Sequence, residues 1–265
     1  MPRWELLSRL PPPREQVSQL KQQMREAVSR MRAKGIEKKD SGVVPIFNPS
    51  PGRYQMQTSP DLSARDCKRA REGTLPQPAK MDPLTFLLLM HLCKAGKLSK
   101  RRFGKSVALY SYQGCEVQPW HIDFSDKPKP KPQSKKAKVG VSGEASKAER
   151  EWAVRVEQLE GIRGLQDREK PLGVFWALEK GCKIMLAGPG GEAVEVCLEE
   201  GDVLLFDGDL VHAGAAYPDC DNIRMHVYLY AEGIVPPGGG TWFVPEFVPT
   251  RHVVWHSRQR RAASV

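Results

Sequence analysis

The chain has 265 residues, a net charge of +10 and 40% hydrophobic side chains, enough to build a sizeable core in one large domain with appendages. The positive balance favours acidic partners without naming one, and much of it lies in segments too polar to pack. The longest apolar run, Pro83 to Cys93, is too short to span a bilayer and too far inside the chain for a secretory signal, so no membrane is expected.

Six cysteines without a CxxC pair fit free thiols better than a disulfide framework, which points to a reducing, intracellular setting, cytoplasmic or nuclear. The arginine-rich N-terminus carries Glu5, Glu15 and Glu26 and is a poor organelle transit peptide. In residues 14–35, Val17, Leu20, Met24, Val28 and Met31 recur at three- and four-residue spacing, one apolar stripe on a helix. Residues 38–80 are rich in Pro, Ser, Gly and charge and read as irregular. A second helix is expected over 83–95, with Asp82 as its cap and Pro83 in its first turn.

From about Ser106 the pattern changes to short runs rich in β-branched and aromatic residues: SVALYSY, QPWHIDF, LGVFWAL, CKIMLA, AVEVCL, DVLLF and RMHVYLYA. Turn signals separate them, and GPGG at 188–191 reads as a hairpin tip. Many short strands with Gly-rich turns predict an antiparallel sandwich or barrel. Residues 127–147 hold six lysines in their first twelve positions, alternate with prolines and lack aromatics; they read as a mobile insertion, followed by a helix at 147–160. Without aromatics for base stacking, nucleic-acid binding through this segment or the basic tail is possible in principle and not favoured. The division that results is an N-terminal helix and extension (1–80), a barrel domain (81–250) with a disordered insertion at 126–147, and a basic tail (251–265).

Three segments carry chemistry. In a strand, His121 and Asp123 of QPWHIDF share one face, while Trp120, Ile122 and Phe124 share the other. His212 follows a strand–turn pair in GDVLLFDGDLVHAGAAY, and the small residues 213–216 leave room beside its ring for something larger than water. Two histidines and a carboxylate can occupy one face of an octahedral iron(II) and leave positions open for a bidentate acid and oxygen; zinc is the competing ion. In NIRMHVYLY, Arg224, His226 and Tyr228 share a face. A buried arginine needs an anion, and its fork suits a carboxylate. The set therefore asks for a ligand that chelates metal at one end and presents a carboxylate at the other.

The run HxD, then a distant His after a GD…F…G…H.G strand pair, then Arg twelve residues on, resembles the iron(II)- and 2-oxoglutarate-dependent dioxygenases over roughly residues 106–231. The resemblance implies a mainly β fold, a double-stranded β-helix of the jelly-roll or cupin-like kind, with the N-terminal helices packed outside. It implies that His121, Asp123 and His212 ligate Fe(II), that Arg224 binds the distal carboxylate of 2-oxoglutarate, and that O2 is consumed in an oxidative decarboxylation to succinate. Tyr110 and Tyr112 lie before the HxD strand, a common place for a residue that contacts the cosubstrate, and Tyr112 is the candidate taken. Many members have serine two residues after the arginine; here it is His226, a cosubstrate-site candidate whose role as a donor behind a ligand or as a core histidine stays open. Nucleic-acid demethylases of the family carry a second arginine six residues after the first, where this chain has Tyr230. Gln118 is placed to line the mouth; Lys183 could reach a carboxylate from the neighbouring strand but reads rather as a surface residue, and Trp242, Phe243 and Phe247 could line a hydrophobic entrance but read rather as packing for the N-terminal helices. The prime substrate, a small molecule or a protein side chain, is not specified. The alternative is a non-catalytic, cupin-like metal or ligand binder.

Overall fold

The computed structural model describes residues 3–33, 42–46, 52–77, 80–123, 170–231, 242–244 and 247–257. The lysine-rich insertion, the helix expected at 147–160, Phe124 and the last residues of the basic tail lie outside the described residues. Among the described residues there are three helices, α1 (Arg14–Ala33), α2 (Ala64–Arg71) and α3 (Pro83–Lys94). The strands are β1 (Trp4–Leu6), β2 (Val43–Pro45), β3 (Arg53–Ser59), β4 (Arg102–Ser111), β5 (His121–Ile122), β6 (Leu172–Ala177), β7 (Cys182–Ala187), β8 (Ala193–Leu198), β9 (Val203–Asp207), β10 (His212–Gly214), β11 (Asn222–Tyr230), β12 (Trp242–Phe243) and β13 (His252–His256).

The strands form two sheets. A seven-stranded sheet has the order β1-β9-β6-β11-β4-β3-β2, and a six-stranded sheet has the order β12-β5-β10-β7-β8-β13. From β4 to β11 the chain passes between the sheets at every connection except the β7–β8 hairpin, which makes a double-stranded β-helix. That hairpin turns at 188–191 as the GPGG signal predicts, with Gly191 in the left-handed region at φ +78.

Period-2 alternation sorts side chains to the two faces of the large sheet. Val174, Trp176, Val203, Leu205, Ile223, Met225, Val227 and Leu229 face outward and form one core with the helices. Phe175, Ala177, Leu204 and Phe206 face inward and meet Ile184, Leu186, Val196 and Leu198 of the small sheet in a second core. The stripe on α1 is buried as its spacing predicts, with Ala27 added, and each fully buried Val, Leu or Met of this kind contributes about 1.5–3 kcal/mol. Asp82 caps α3 by accepting from Leu84 N at 2.8 Å, with Pro83 in the first turn. The helices therefore sit outside the barrel.

Two expectations change. The described residues within 38–80 include regular structure: β2 and β3 extend the large sheet beside β4, and α2 follows. The α2 start was readable as Ser63 and Asp66: the Ser63 hydroxyl accepts from Asp66 N at 3.1 Å and donates to the Asp66 carboxylate at 2.7 Å. The pairing of β3 was not, since it depends on a strand about fifty residues away. The segment from 251 on also begins with structure, because β13 pairs in parallel with β8.

Candidate metal and carboxylate site

The short strand β5 pairs with β10 in a register that sets His121 directly opposite His212. Their rings lie 4.5 Å apart, and Asp123, two residues on, points to the same side. One ligand atom from each of the three falls within 4.8 Å of the others, and all three residues are buried. Asp123 Oδ2 is 3.1 Å from His212 Nε2, and Oδ1 is 3.8 Å from His121 Nε2. Each imidazole is held by its other nitrogen: His121 Nδ1 donates to Pro119 O at 2.7 Å and His212 Nδ1 to Leu210 O at 2.9 Å. A ring nitrogen facing a carbonyl must carry a proton, so both Nε2 atoms are directed toward the Asp123 carboxylate. Tyr228 adds a hydrogen bond from its hydroxyl to the Asp123 carboxylate.

The electrostatics follow from this packing. Burial alone would raise Asp123, but His212 beside it holds the carboxyl well below the usual carboxylate range. Burial likewise opposes charge on His212, yet Asp123 prevails and raises it. His121 is pushed down to about 4 by burial and by His212. Below pH 6.5 the cluster without metal therefore holds one imidazolium–carboxylate pair, His212 with Asp123, beside His121.

Arg224 projects from β11 into the same cavity, of about 100 Å³, which His121, Asp123, His212, His226 and Tyr228 also line. It is 2% exposed. Its Nη1 donates to Ser111 Oγ at 2.8 Å, while its Nε donates to nothing. Among the described residues no carboxylate pairs with it. His226 is buried against Tyr228 and stacked on Phe206. Its Nε2 makes no hydrogen bond and lies 3.9 Å from Asp123 Oδ2. Burial pushes this ring down to about 4, so it is neutral.

The structure brings together His121, Asp123, His212, Arg224 and His226. It does not bring Tyr112 to the cavity. Alternation along β4 turns Leu109 and Ser111 inward, and Tyr110 and Tyr112 outward. Tyr112 lies under the Arg32 guanidinium, 4.3 Å from its ring centre, and lines a separate pocket. Tyr110 donates to Asp221 at 2.6 Å, which also accepts from Arg25 of α1. Tyr230, at the position of the demethylase arginine, donates to Asp61 at 3.0 Å. Lys183 pairs with Glu195 at 3.1 Å. Phe247 packs edge-on against Trp120 at 4.7 Å, beside the small sheet instead of the helices.

The room that the small residues leave beside His212 is occupied. A Cβ on Gly214 would come within 2.4 Å of Gln118 Oε1 and 2.7 Å of Arg53 Nη1, so these two side chains fill it. Gln118 accepts from Gly214 N at 3.0 Å and lines the cavity, as its placement near the mouth predicts. Gln55, on β3, lines it too. Neither Arg53 nor Gln55 carries a local sequence signal.

No family model and no curated protein matches the sequence. Solved structures do resemble it in fold. A prolyl-4-hydroxylase from Pseudomonas putida is 12% identical, with 88% of this chain and 95% of that one covered, at a TM-score of 0.44. HygX from Streptomyces hygroscopicus, solved with nickel and 2-oxoglutarate bound, is 10% identical over 88% and 84%, at 0.45. A cupin-like protein from Thermotoga maritima is 12% identical over 53% and 63%, at 0.26. At these identities and scores the likenesses bear on neither the metal nor the substrate of this chain.

Proposed function

We propose that the chain is an iron(II)- and 2-oxoglutarate-dependent dioxygenase that hydroxylates a substrate while 2-oxoglutarate is decarboxylated to succinate. The observation that carries this reading is a buried His–Asp–His cluster sharing one small cavity with a buried arginine that has no carboxylate partner among the described residues. A buried charge without a counter-ion costs several kcal/mol, which an anionic ligand in the cavity would offset.

The donor set fits the ion. His121, Asp123 and His212 would hold Fe(II) through two Nε2 atoms and one carboxylate oxygen, the ligand types that suit a non-haem iron with open positions. Bound iron would supply oxygen activation coupled to loss of carbon dioxide from the cosubstrate. The chain's own residues do the rest. Pro119 and Leu210 carbonyls fix the imidazoles, and Tyr228 orients the carboxylate. Arg224 binds the distal carboxylate and so sets which way the cosubstrate enters. Phe175 and Phe206 line the cavity and help keep it dry. The free Nε2 of His226 offers a further hydrogen bond to a ligand in the cavity.

The test is anaerobic addition of Fe(II) and 2-oxoglutarate, read as the weak visible charge-transfer band of the chelate. Its appearance supports the dioxygenase; its absence in folded protein that still binds metal supports the cupin-like binder or a zinc site. A screen for succinate release across peptides, nucleosides and small metabolites would then find the prime substrate.

A further inference from the structure

Arg224 is not the only guanidinium behind the cavity. Arg53 enters from β3, a strand outside the eight-stranded barrel, and is 1% exposed. Ser111 ends β4 between the two arginines; its Cα partners are Arg53 on β3 and Asn222 on β11. Its Oγ accepts from Arg53 Nη1 at 3.0 Å and from Arg224 Nη1 at 2.8 Å. Both lone pairs of the hydroxyl are then committed to guanidinium groups, and its own proton meets no acceptor among the described residues.

Arg53 is itself anchored. Its Nη2 donates to Glu116 O at 2.6 Å, Gly214 O at 3.2 Å and Ala215 O at 2.6 Å, tying β3 to the segment before β5 and to the strand that carries His212. Its Nε, like that of Arg224, donates to nothing. Burial and the Arg224 charge pull Arg53 down to about 10, so the two cations repel across the serine. Among the described residues neither arginine has a carboxylate within ion-pair distance. Two like charges bridged by one neutral hydroxyl form an arrangement that an anion would stabilise, and the cavity side of Arg224 is where it can bind.

We propose that Arg53 and Ser111 are positioning residues for Arg224, together forming the seat for the distal carboxylate of the cosubstrate. The inference rests on the 2-oxoglutarate reading and deepens it. It assigns to β3 and the end of β4 the bracing that the imidazole at position 226 does not give Arg224. Arg53 fixes Ser111, Ser111 fixes the Arg224 fork, and the second positive charge strengthens the seat.

The experiment compares the whole protein with Ser111→Ala, Ser111→Thr and Arg53→Lys, under anaerobic Fe(II), by titrating 2-oxoglutarate and, separately, pyruvate, a keto acid without the distal carboxylate. Mn(II) affinity and the melting curve establish that each variant is folded with its metal cluster intact. A lost hydrogen bond to a charged group corresponds to about a tenfold change. Ser111→Ala should therefore raise the 2-oxoglutarate half-saturation about tenfold and leave that for pyruvate unchanged. Ser111→Thr keeps the hydroxyl and should restore most of the affinity, a rescue that lost packing alone would not give. Arg53→Lys keeps the charge but loses the fork and should weaken 2-oxoglutarate severalfold. Unchanged 2-oxoglutarate affinity in Ser111→Ala, or equal losses for both keto acids, overturns the proposal; unchanged affinity in Arg53→Lys removes Arg53 from it. A wild-type protein that gives no 2-oxoglutarate-dependent band instead overturns the dioxygenase reading beneath it.

Discussion

Adding one methyl group at Gly214 tests the packing around the site directly. The backbone there has no left-handed φ, so Gly214→Ala carries only a steric cost. The new Cβ would lie 2.4 Å from Gln118 Oε1 and 2.7 Å from Arg53 Nη1, both inside contact distance. Gln118 can swing away at the loss of its hydrogen bond from Gly214 N, about 1 kcal/mol. Arg53 cannot, because its two terminal nitrogens are held by Ser111 and by the carbonyls of Glu116, Gly214 and Ala215. Displacing it stretches these charged hydrogen bonds, for an overpacking cost of about 2 kcal/mol more. The expected total of roughly 3 kcal/mol lowers the melting temperature by about 6–12 °C in a chain of this size. Thermal unfolding followed by circular dichroism reads the effect. Adding Gln118→Ala in the Gly214→Ala background relieves the closer contact and should recover part of the loss, a coupling that a double-mutant cycle isolates. A melting temperature within about 2 °C of wild type for Gly214→Ala would refute the placement of Arg53 and Gln118.

Two further outcomes follow from the site. In the metal-free protein the Nε2 of His212 faces Asp123 and its Nδ1 faces a carbonyl, so the folded-state pKa lies above the ordinary 6.5. The charged pair therefore stabilises the metal-free fold fully below pH 6.5, and that contribution fades as the pH rises through the raised value. A metal displaces this proton, so Mn(II) binding near pH 6 should release close to one proton and weaken as the pH falls; calorimetry in two buffers of different ionisation enthalpy measures it, and zero release contradicts the assigned protonation. Tyr112→Phe should leave 2-oxoglutarate affinity within about twofold, since the ring packs under Arg32 outside the cavity; a tenfold loss would return Tyr112 to the site.

The sequence by itself determined the features that depend on local period and order. Alternation put His121 with Asp123 and Arg224 with His226 and Tyr228, and the three-and-four spacing of Val17 to Met31 set the buried face of α1. The same period, once β4 was known to turn Ser111 inward, excluded Tyr112 from the cavity; without the strand's facing, sequence alone could not choose between the two sides. Only the tertiary structure decided how distant segments meet. The register that sets His121 opposite His212 depends on strands about ninety residues apart. The pairing of β4 with both β3 and β11 brings Arg53 to Ser111 across 58 residues and Ser111 to Arg224 across 113. A lone arginine in a Pro- and Ser-rich stretch has no periodic signal, because its partners are backbone carbonyls and a serine hydroxyl that the chain reaches only after folding. Side-chain alternation is written in neighbours, whereas charge compensation in a buried cavity is settled by whatever the closed barrel brings within hydrogen-bond distance.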